Sequence, residues 1–404
     1  MKNKGFYAGA AMALGMMAMA AHAQNQSAQS HDDLKINQIQ IVGTHNSYSQ
    51  GVDPQIMAMA DAIIGPRLSQ MTAKMPPEAR AQYKEYHPNE VSMPEALNYR
   101  YGTLTSQLDS GMRSLELDLN RDPEGGRFLH PAAYEAARAR GIPENQLLPH
   151  DKTGLDKPGF KVMHIVDFDV RSSCNLFTDC LAELRRWSDA HPGHEPVFIL
   201  LEAKSDPIPI FPGSKPPLPF TAQSFDELDA DLFRVIGRDR IVTPDQVRGR
   251  YPTLEAGVKA GNWPRLKDAR GKFVFLLLTA LDTNGLSGYV GGHPNLEGRA
   301  AFLESRPGQS YAAFLLMDNA TLRAREIPDL VRQGYLVRAR ADIETWEAKA
   351  HDLTRATQAF ASGAQIVSTD FYKPGNAYGT DYVVRLPGGG VMRCNPVNAA
   401  QACQ

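Results

Sequence analysis

Ser114-Leu115-Glu116-Leu117-Asp118-Leu119 alternates leucine with a polar or acidic residue. A strand repeats every two residues, so Leu115, Leu117 and Leu119 share one face while Glu116 and Asp118 share the other. Leucines facing outward to helices and carboxylates facing inward describe the wall of a barrel that ends in a polar mouth. Seven further β-rich runs accompany it, at 38–44, 160–165, 197–203, 272–278, 313–317, 335–339 and 364–369. Helical patterns such as 178–190 and 344–361 lie between most of them, and repeated strand–helix units imply a parallel sheet. The expected fold class is therefore α/β, a (β/α)8 TIM barrel. An open doubly wound sheet usually carries a glycine-rich phosphate turn after its first strand. Here Gly43-Thr44-His45-Asn46 stands in that place.

Reactive groups of a barrel gather at the C-terminal ends of its strands. The first run ends in His45-Asn46, the third in His164, and the fourth is apolar until Glu202-Ala203-Lys204. A lone carboxylate or histidine at a strand end is usually a salt-bridge partner or a packed residue. Three carboxylates converging on one mouth repel each other unless a cation neutralises them. Asn46, Glu116, Asp118 and Glu202 offer only oxygen, which favours a hard ion, calcium ahead of magnesium, over zinc. His45 and His164 titrate near neutrality and suit acid–base work beside such an ion, a combination fitted to phosphoryl transfer.

Taken together, His45-Asn46-Ser47-Tyr48, the run from Gln107-Leu108-Asp109 through Gly111 and Arg113 to Asp118, His164, and Glu202-x-Lys204 resemble the bacterial calcium-dependent phosphoinositide phospholipase C family. The resemblance continues through the Cys174 to Cys180 segment, Trp187, Leu336-Val337-Arg338-Ala339-Arg340-Ala341-Asp342 and Ser368-Thr369-Asp370-Phe371-Tyr372, nearly the whole chain after residue 23. It implies that His45 and His164 are catalytic and that Asn46, Glu116, Asp118 and Glu202 hold Ca2+. It implies in-line attack of the inositol 2-hydroxyl on phosphorus, with diacylglycerol leaving and an inositol cyclic phosphate forming. In that scheme His45 stabilises the pentacoordinate state, His164 protonates the leaving alkoxide, and Glu202 or Asp118 is the base. Lys204, Arg338, Arg340, Asp370 and Tyr372 approach the mouth as candidate substrate contacts, although the arginines are equally suited to pairing with Asp342 or Asp370. Glycerophosphodiester phosphodiesterases share the barrel and its two histidines but usually read His-Arg-Gly where this chain has His45-Asn46-Ser47. A non-catalytic calcium-dependent lipid- or sugar-binding module would need the metal set alone, and the presence of both histidines argues against it.

The remaining features fit an exported enzyme acting on a phospholipid headgroup at a membrane surface. Lys2 and Lys4, a short apolar run and Ala21-His22-Ala23 make residues 1–23 a signal peptide, and the run is shorter than the roughly 20 residues a spanning helix needs. Four cysteines fit an oxidising compartment. Cys174 with Cys180 and Cys394 with Cys403 close short loops easily, although sequence alone allows other pairings. The 404 residues carry 43 basic and 45 acidic side chains, a balance that gives no polycation to hold nucleic acid, and no obligate protein partner is evident. Residues 24–386 form the expected barrel domain and 387–404 an irregular tail. Two insertions, 51–97 and 205–220, follow strand ends and belong over the mouth. Their apolar residues, among them Met57, Met59, Ile63, Ile64, Met71, Met75, Ile208, Ile210 and Phe211, either dip into lipid or pack on the domain, and packing is the expected outcome.

Overall fold

Val197-Phe198-Ile199-Leu200-Leu201 is apolar at every position, the composition of a parallel strand covered on both faces, and all five side chains are buried. This strand belongs to a barrel seen in a computed structural model, which describes residues 31–205, 210–279 and 283–400. The expected leader, Ile208 and Cys403 lie outside the described residues. The barrel strands are β1 (Ile39–Thr44), β2 (Ser114–Asp122), β4 (Val197–Ala203), β5 (Phe273–Thr279), β6 (Ala301–Leu303), β7 (Phe314–Asn319), β8 (Leu336–Arg340) and β9 (Ile366–Thr369). They run parallel in the order β6-β5-β4-β2-β1-β9-β8-β7, with helices between most successive strands, which is the expected (β/α)8 barrel.

The ring is not uniform. β2, β4, β5 and β6 form one well-paired quartet, and β7, β8, β9 and β1 form the other. They meet at the single registered pair Gly43↔Ser114 on one side and at the isolated bridge Glu304↔Phe314 on the other. Gly43 is required at the first joint, since a Cβ there would lie 2.4 Å from the Ser114 Cβ and 2.5 Å from its carbonyl oxygen. Gly43→Ala is expected to lose about 1–3 kcal/mol of stability by overpacking. Urea unfolding measures this, and a midpoint unchanged from the parent would mean that the joint opens freely.

Two features of the strand pattern differ from expectation. The run at 160–165 does form a strand, β3 (Gly159–Val162), but it pairs antiparallel with the far end of β2, Leu119↔Val162 through Asp122↔Gly159, and is no barrel stave. The eighth stave is instead β6, three residues long. The helical pattern at 344–361 is also broken, into Trp346–Ala350 and Thr354–Ser362, because Glu344, Thr345 and His351 adopt left-handed conformations at its start and middle. In the tail, β10 (Arg393–Cys394) returns to pair antiparallel with Ile39 and Gln40.

The first insertion folds as helices Pro54–Lys74, Pro77–Tyr86 and Met93–Ala96. Asp53 caps the first of them, its Oδ1 accepting the Gln55 and Ile56 amides at 2.8 and 3.0 Å. Glu85 takes both ends of the Arg323 guanidinium at 2.9 and 2.7 Å, which fastens the insertion to the loop after β7. Met57, Met59, Ile210 and Phe211 are buried in a second apolar cluster, with Ile63 and Ile64 packed against it, while Met71 is exposed. Among the described residues, no helix is long and apolar enough to cross a membrane.

Candidate active site

The turn after β1 is built by its own neighbours. Asn46 has φ 46°, a left-handed conformation that asparagine tolerates better than most residues. The Thr44 and Ser47 hydroxyls lie 2.6 Å apart, and Gln107 Nε2 donates to the Ser47 carbonyl at 2.7 Å. The Ser47 amide donates to the Glu116 carbonyl at 2.9 Å, and the Glu116 amide returns a bond to the Ser47 hydroxyl at 2.8 Å. That exchange sets His45 and Asn46 beside the β2 carboxylates. β2 and β4 are in register at Asp118↔Glu202, so those two side chains stand next to each other.

Glu116, Asp118 and Glu202 present carboxylate oxygens that all lie within 4.8 Å of one another. Burial pushes Glu116 up to about 8, against the pull of Arg338. Burial, then the charge of Glu202, push Asp118 up to about 6. Burial also opposes charge on Glu202, but Lys204 outweighs it and holds that carboxyl below its ordinary value. Lys204 Nζ lies 3.0 Å from Glu202 and 3.4 Å from Asp118. Even so, both Asp118 oxygens are buried without a hydrogen-bond partner. Asn46 donates its Nδ2 to the Tyr99 hydroxyl at 2.7 Å, which leaves its Oδ1 buried and unpartnered as well. Buried oxygens without donors are costly. Three of them beside two further carboxylates fit a hard divalent cation held by Asn46, Glu116, Asp118 and Glu202.

Two histidine–aspartate pairs flank this cluster. His45 Nδ1 is 2.9 Å from Asp370 Oδ1, and His164 Nδ1 is 2.8 Å from Asp169 Oδ2. The imidazoles are 19% and 20% exposed and their aspartates 1% and 4%, so each ring can meet a ligand while its partner cannot. Burial and the nearby Arg340, with Asp370 opposing, lower His45 from the usual 6.5 to about 4. Arg340 Nη2 and the Tyr101 hydroxyl donate to Asp370 at 2.8 and 2.9 Å. Asp342 in turn accepts the Asp370 amide at 2.7 Å, and burial, then the Asp370 charge, push Asp342 up to about 7. Arg338 crosses the barrel from β8 to Glu116 at 2.8 Å and also pairs with Asp318. Pairing thus accounts for both arginines, though with Glu116 and Asp318 rather than Asp342 in the case of Arg338. Tyr372 packs toward Tyr101, with ring centroids 6.2 Å apart. Asp169, Tyr99, Tyr101, Asp318 and Asp342 belong to the site and were not singled out as site residues from the sequence. Asp169, five residues after His164, carried the one local signal.

The disulfide Cys174–Cys180 is formed, with Cα atoms 5.5 Å apart, just after the segment that carries His164 and Asp169. Cys394 is also disulfide-bonded.

Residues 34–396 match the family model described as calcium-dependent phosphoinositide phospholipase C. The chain belongs to that family. This phospholipase C is therefore a phosphodiesterase that acts on phosphoinositides, and its family is calcium-dependent. Comparison with curated protein sequences finds no match. Among solved structures it is similar to a calcium-dependent phosphoinositol-specific phospholipase C from Pseudomonas sp, with 16% identity, TM-score 0.48, and 91% of this chain and 97% of that one covered. The calcium-dependent phosphatidylinositol-specific enzyme from Streptomyces antibioticus shows 19% identity, TM-score 0.49, and 86% and 98% coverage. The phosphatidylinositol-specific enzyme from Listeria monocytogenes shows 11% identity, TM-score 0.43, and 86% and 93% coverage.

Proposed function

We propose that this phospholipase C is exported and cleaves the glycerol–phosphate bond of phosphatidylinositol at a membrane surface, with the inositol 2-hydroxyl as nucleophile. The reading rests on one observation: orphaned oxygens of Asn46 and Asp118 share the barrel mouth with two part-exposed histidines, each paired with a buried aspartate. Residues 1–23 as a leader, and the disulfide, support export.

Asp370, held ionised by Arg340, fixes the proton of His45 on Nδ1 and leaves Nε2 free to accept one. The lowered pKa makes His45 a neutral imidazole, which suits removal of the 2-hydroxyl proton better than stabilisation of an anion. The base is therefore assigned to His45 in place of Glu202 or Asp118, which serve as metal ligands. His164, oriented by Asp169, delivers the proton to the glycerol oxygen as its bond to phosphorus breaks. Lys204 and Arg338 place positive charge beside the cluster, where the phosphate is read. Calcium held by Asn46, Glu116, Asp118 and Glu202 would supply Lewis-acid polarisation of the phosphate and acidify the attacking hydroxyl.

Release of water-soluble inositol phosphate from phosphatidylinositol vesicles, with calcium and then with EGTA, tests the reading. Calcium-dependent formation of cyclic inositol phosphate is expected. Cleavage of glycerophosphodiesters alone would replace it. A second test concerns the base. Arg340→Gln removes a cation that disfavours imidazolium, so the His45 pKa rises from about 4 toward 6.5. The acid limb of kcat/KM, recorded at saturating calcium, should move to higher pH. An unmoved limb would take the base role away from His45.

A further inference from the structure

A side-chain amide is an unequal metal ligand: its oxygen attracts a cation, while its nitrogen, with two N–H donors, repels one. Left to themselves, the carboxylates of Glu116, Asp118 and Glu202 would draw the Asn46 Nδ2 toward the cluster and turn its oxygen away. The opposite arrangement is found, with Nδ2 donating to the Tyr99 hydroxyl at 2.7 Å and Oδ1 buried without a partner. Tyr99 accepts this bond although a phenol can also donate. Burial, then the charges of Asp169 and Asp370, raise its pKa well above the ordinary 10. The hydroxyl therefore keeps its proton, which those two aspartates attract, and has a lone pair left for Asn46.

We propose that Tyr99 is a positioning residue for the cation: by taking the Asn46 Nδ2 it keeps Oδ1 turned to the carboxylate cluster, and so sets calcium affinity. The inference rests on the metal set of the proposed function and adds to it that the first insertion governs part of that set. Tyr99 lies just after the helix Met93–Ala96, where the insertion returns to the barrel. Tyr101 ties the segment to the turn that carries Asn46, its amide donating to the Ser49 carbonyl at 2.9 Å and its carbonyl accepting Gln50 Nε2 at 2.8 Å. On the outer side the Glu95 carbonyl accepts Thr345 Oγ1 at 2.6 Å, and the Glu95 carboxylate pairs with Lys349 beyond β8. The Tyr99 ring packs between His45 and Tyr101, with centroids 5.6 and 5.8 Å away, so its hydroxyl cannot follow a rotating amide. Outer-shell partners of this kind contribute about 10–100-fold in metal affinity.

Calorimetric titration of the metal-free enzyme with calcium tests the role without recourse to activity. Tyr99→Phe keeps the ring and its packing and removes only the hydroxyl, and its calcium affinity should fall by about 10–100-fold. Tyr101→Phe removes a hydroxyl from the same segment, but one that bonds Asp370 and no metal ligand, and should bind calcium as the parent does. Asn46→Ala should weaken binding by itself, and adding Tyr99→Phe to it should cost nothing further, because Tyr99 acts through the amide that is already gone. Parent-like affinity in Tyr99→Phe overturns the proposal. So does an equal loss in Tyr101→Phe, or a full additional loss in the double variant, since either would mean that the hydroxyl merely supports the segment. If Asn46→Ala itself binds calcium like the parent, the metal set fails and the positioning role falls with it, an outcome distinct from a weakened Asn46→Ala beside an unaffected Tyr99→Phe.

Discussion

His45→Ala is expected to lower kcat on phosphatidylinositol by about 10²–10⁴, the usual contribution of a positioned proton-transfer group, while calcium still raises the melting temperature. His164→Ala should lose a similar amount on the natural ester, whose alkoxide cannot depart without a proton. The two variants separate on a substrate whose leaving group is a nitrophenolate. That anion is stable unprotonated, so His164→Ala should regain most of its activity and His45→Ala none. Equal rescue of both, or of neither, would overturn the division of labour between a base fixed by Asp370 and an acid fixed by Asp169. Calcium-dependent thermal stabilisation in both variants guards against mistaking a damaged metal site for a missing proton carrier.

The second large effect concerns the carboxylates and the metal. Asp118 is raised from 3.8 to about 6, Glu116 from 4.5 to about 8, Glu304 from 4.5 to about 7 and Asp342 from 3.8 to about 7, burial being the first cause in each. A group whose folded pKa exceeds its unfolded value binds its proton more tightly in the native state. Its contribution to stability is complete below the unfolded pKa and is lost as pH rises through the folded one. With calcium removed, these four groups make the protein less stable as pH climbs from about 4 to about 8. Metal binding needs the ionised carboxylates, so the rise in melting temperature on adding calcium should be larger at pH 8 than at pH 5. Asp118→Asn deletes a charge that costs about 3 kcal/mol at neutral pH by the size of its shift. In EGTA the variant should melt higher than the parent at pH 8, by a smaller margin at pH 5, and match it only below the unfolded pKa of 3.8. With calcium it should gain little at either pH and cleave nothing. A variant that melts lower than the parent in EGTA at pH 8 would show that Lys204 already neutralises Asp118.

What could be read from the sequence follows the range of the interaction involved. β2 was legible because a two-residue period states which side chains share a face, and Leu115, Glu116, Leu117 and Asp118 obey it without exception. β6 was not, because Ala301–Leu303 is too short to show any period. β3 shows the converse limit: apolar alternation at Phe160 and Val162 marks a strand but says nothing of its direction, which Lys161↔Asn120 pairing on the outer end of β2 decides. His45 and Asn46 announced themselves by standing at a strand end. Their supports did not, since Tyr99 and Asp370 reach them across 53 and 325 residues of chain. The Arg338–Glu116 bridge spans 222 residues and could be named only as an arginine near a mouth.

The two thin joints of the barrel give the metal site a mechanical meaning. Asn46 hangs from the β1 quartet, and Glu116, Asp118 and Glu202 from the β2 quartet, on either side of the joint that Gly43 and Ser114 close with one registered pair. A cation shared by those four residues would be a clasp between half-barrels, fastened across one of the two thin joints. Binding there would also hold His45, on one half, at a fixed reach from His164, beyond the end of the other. Calcium would then assemble the two halves of the barrel as well as complete the site.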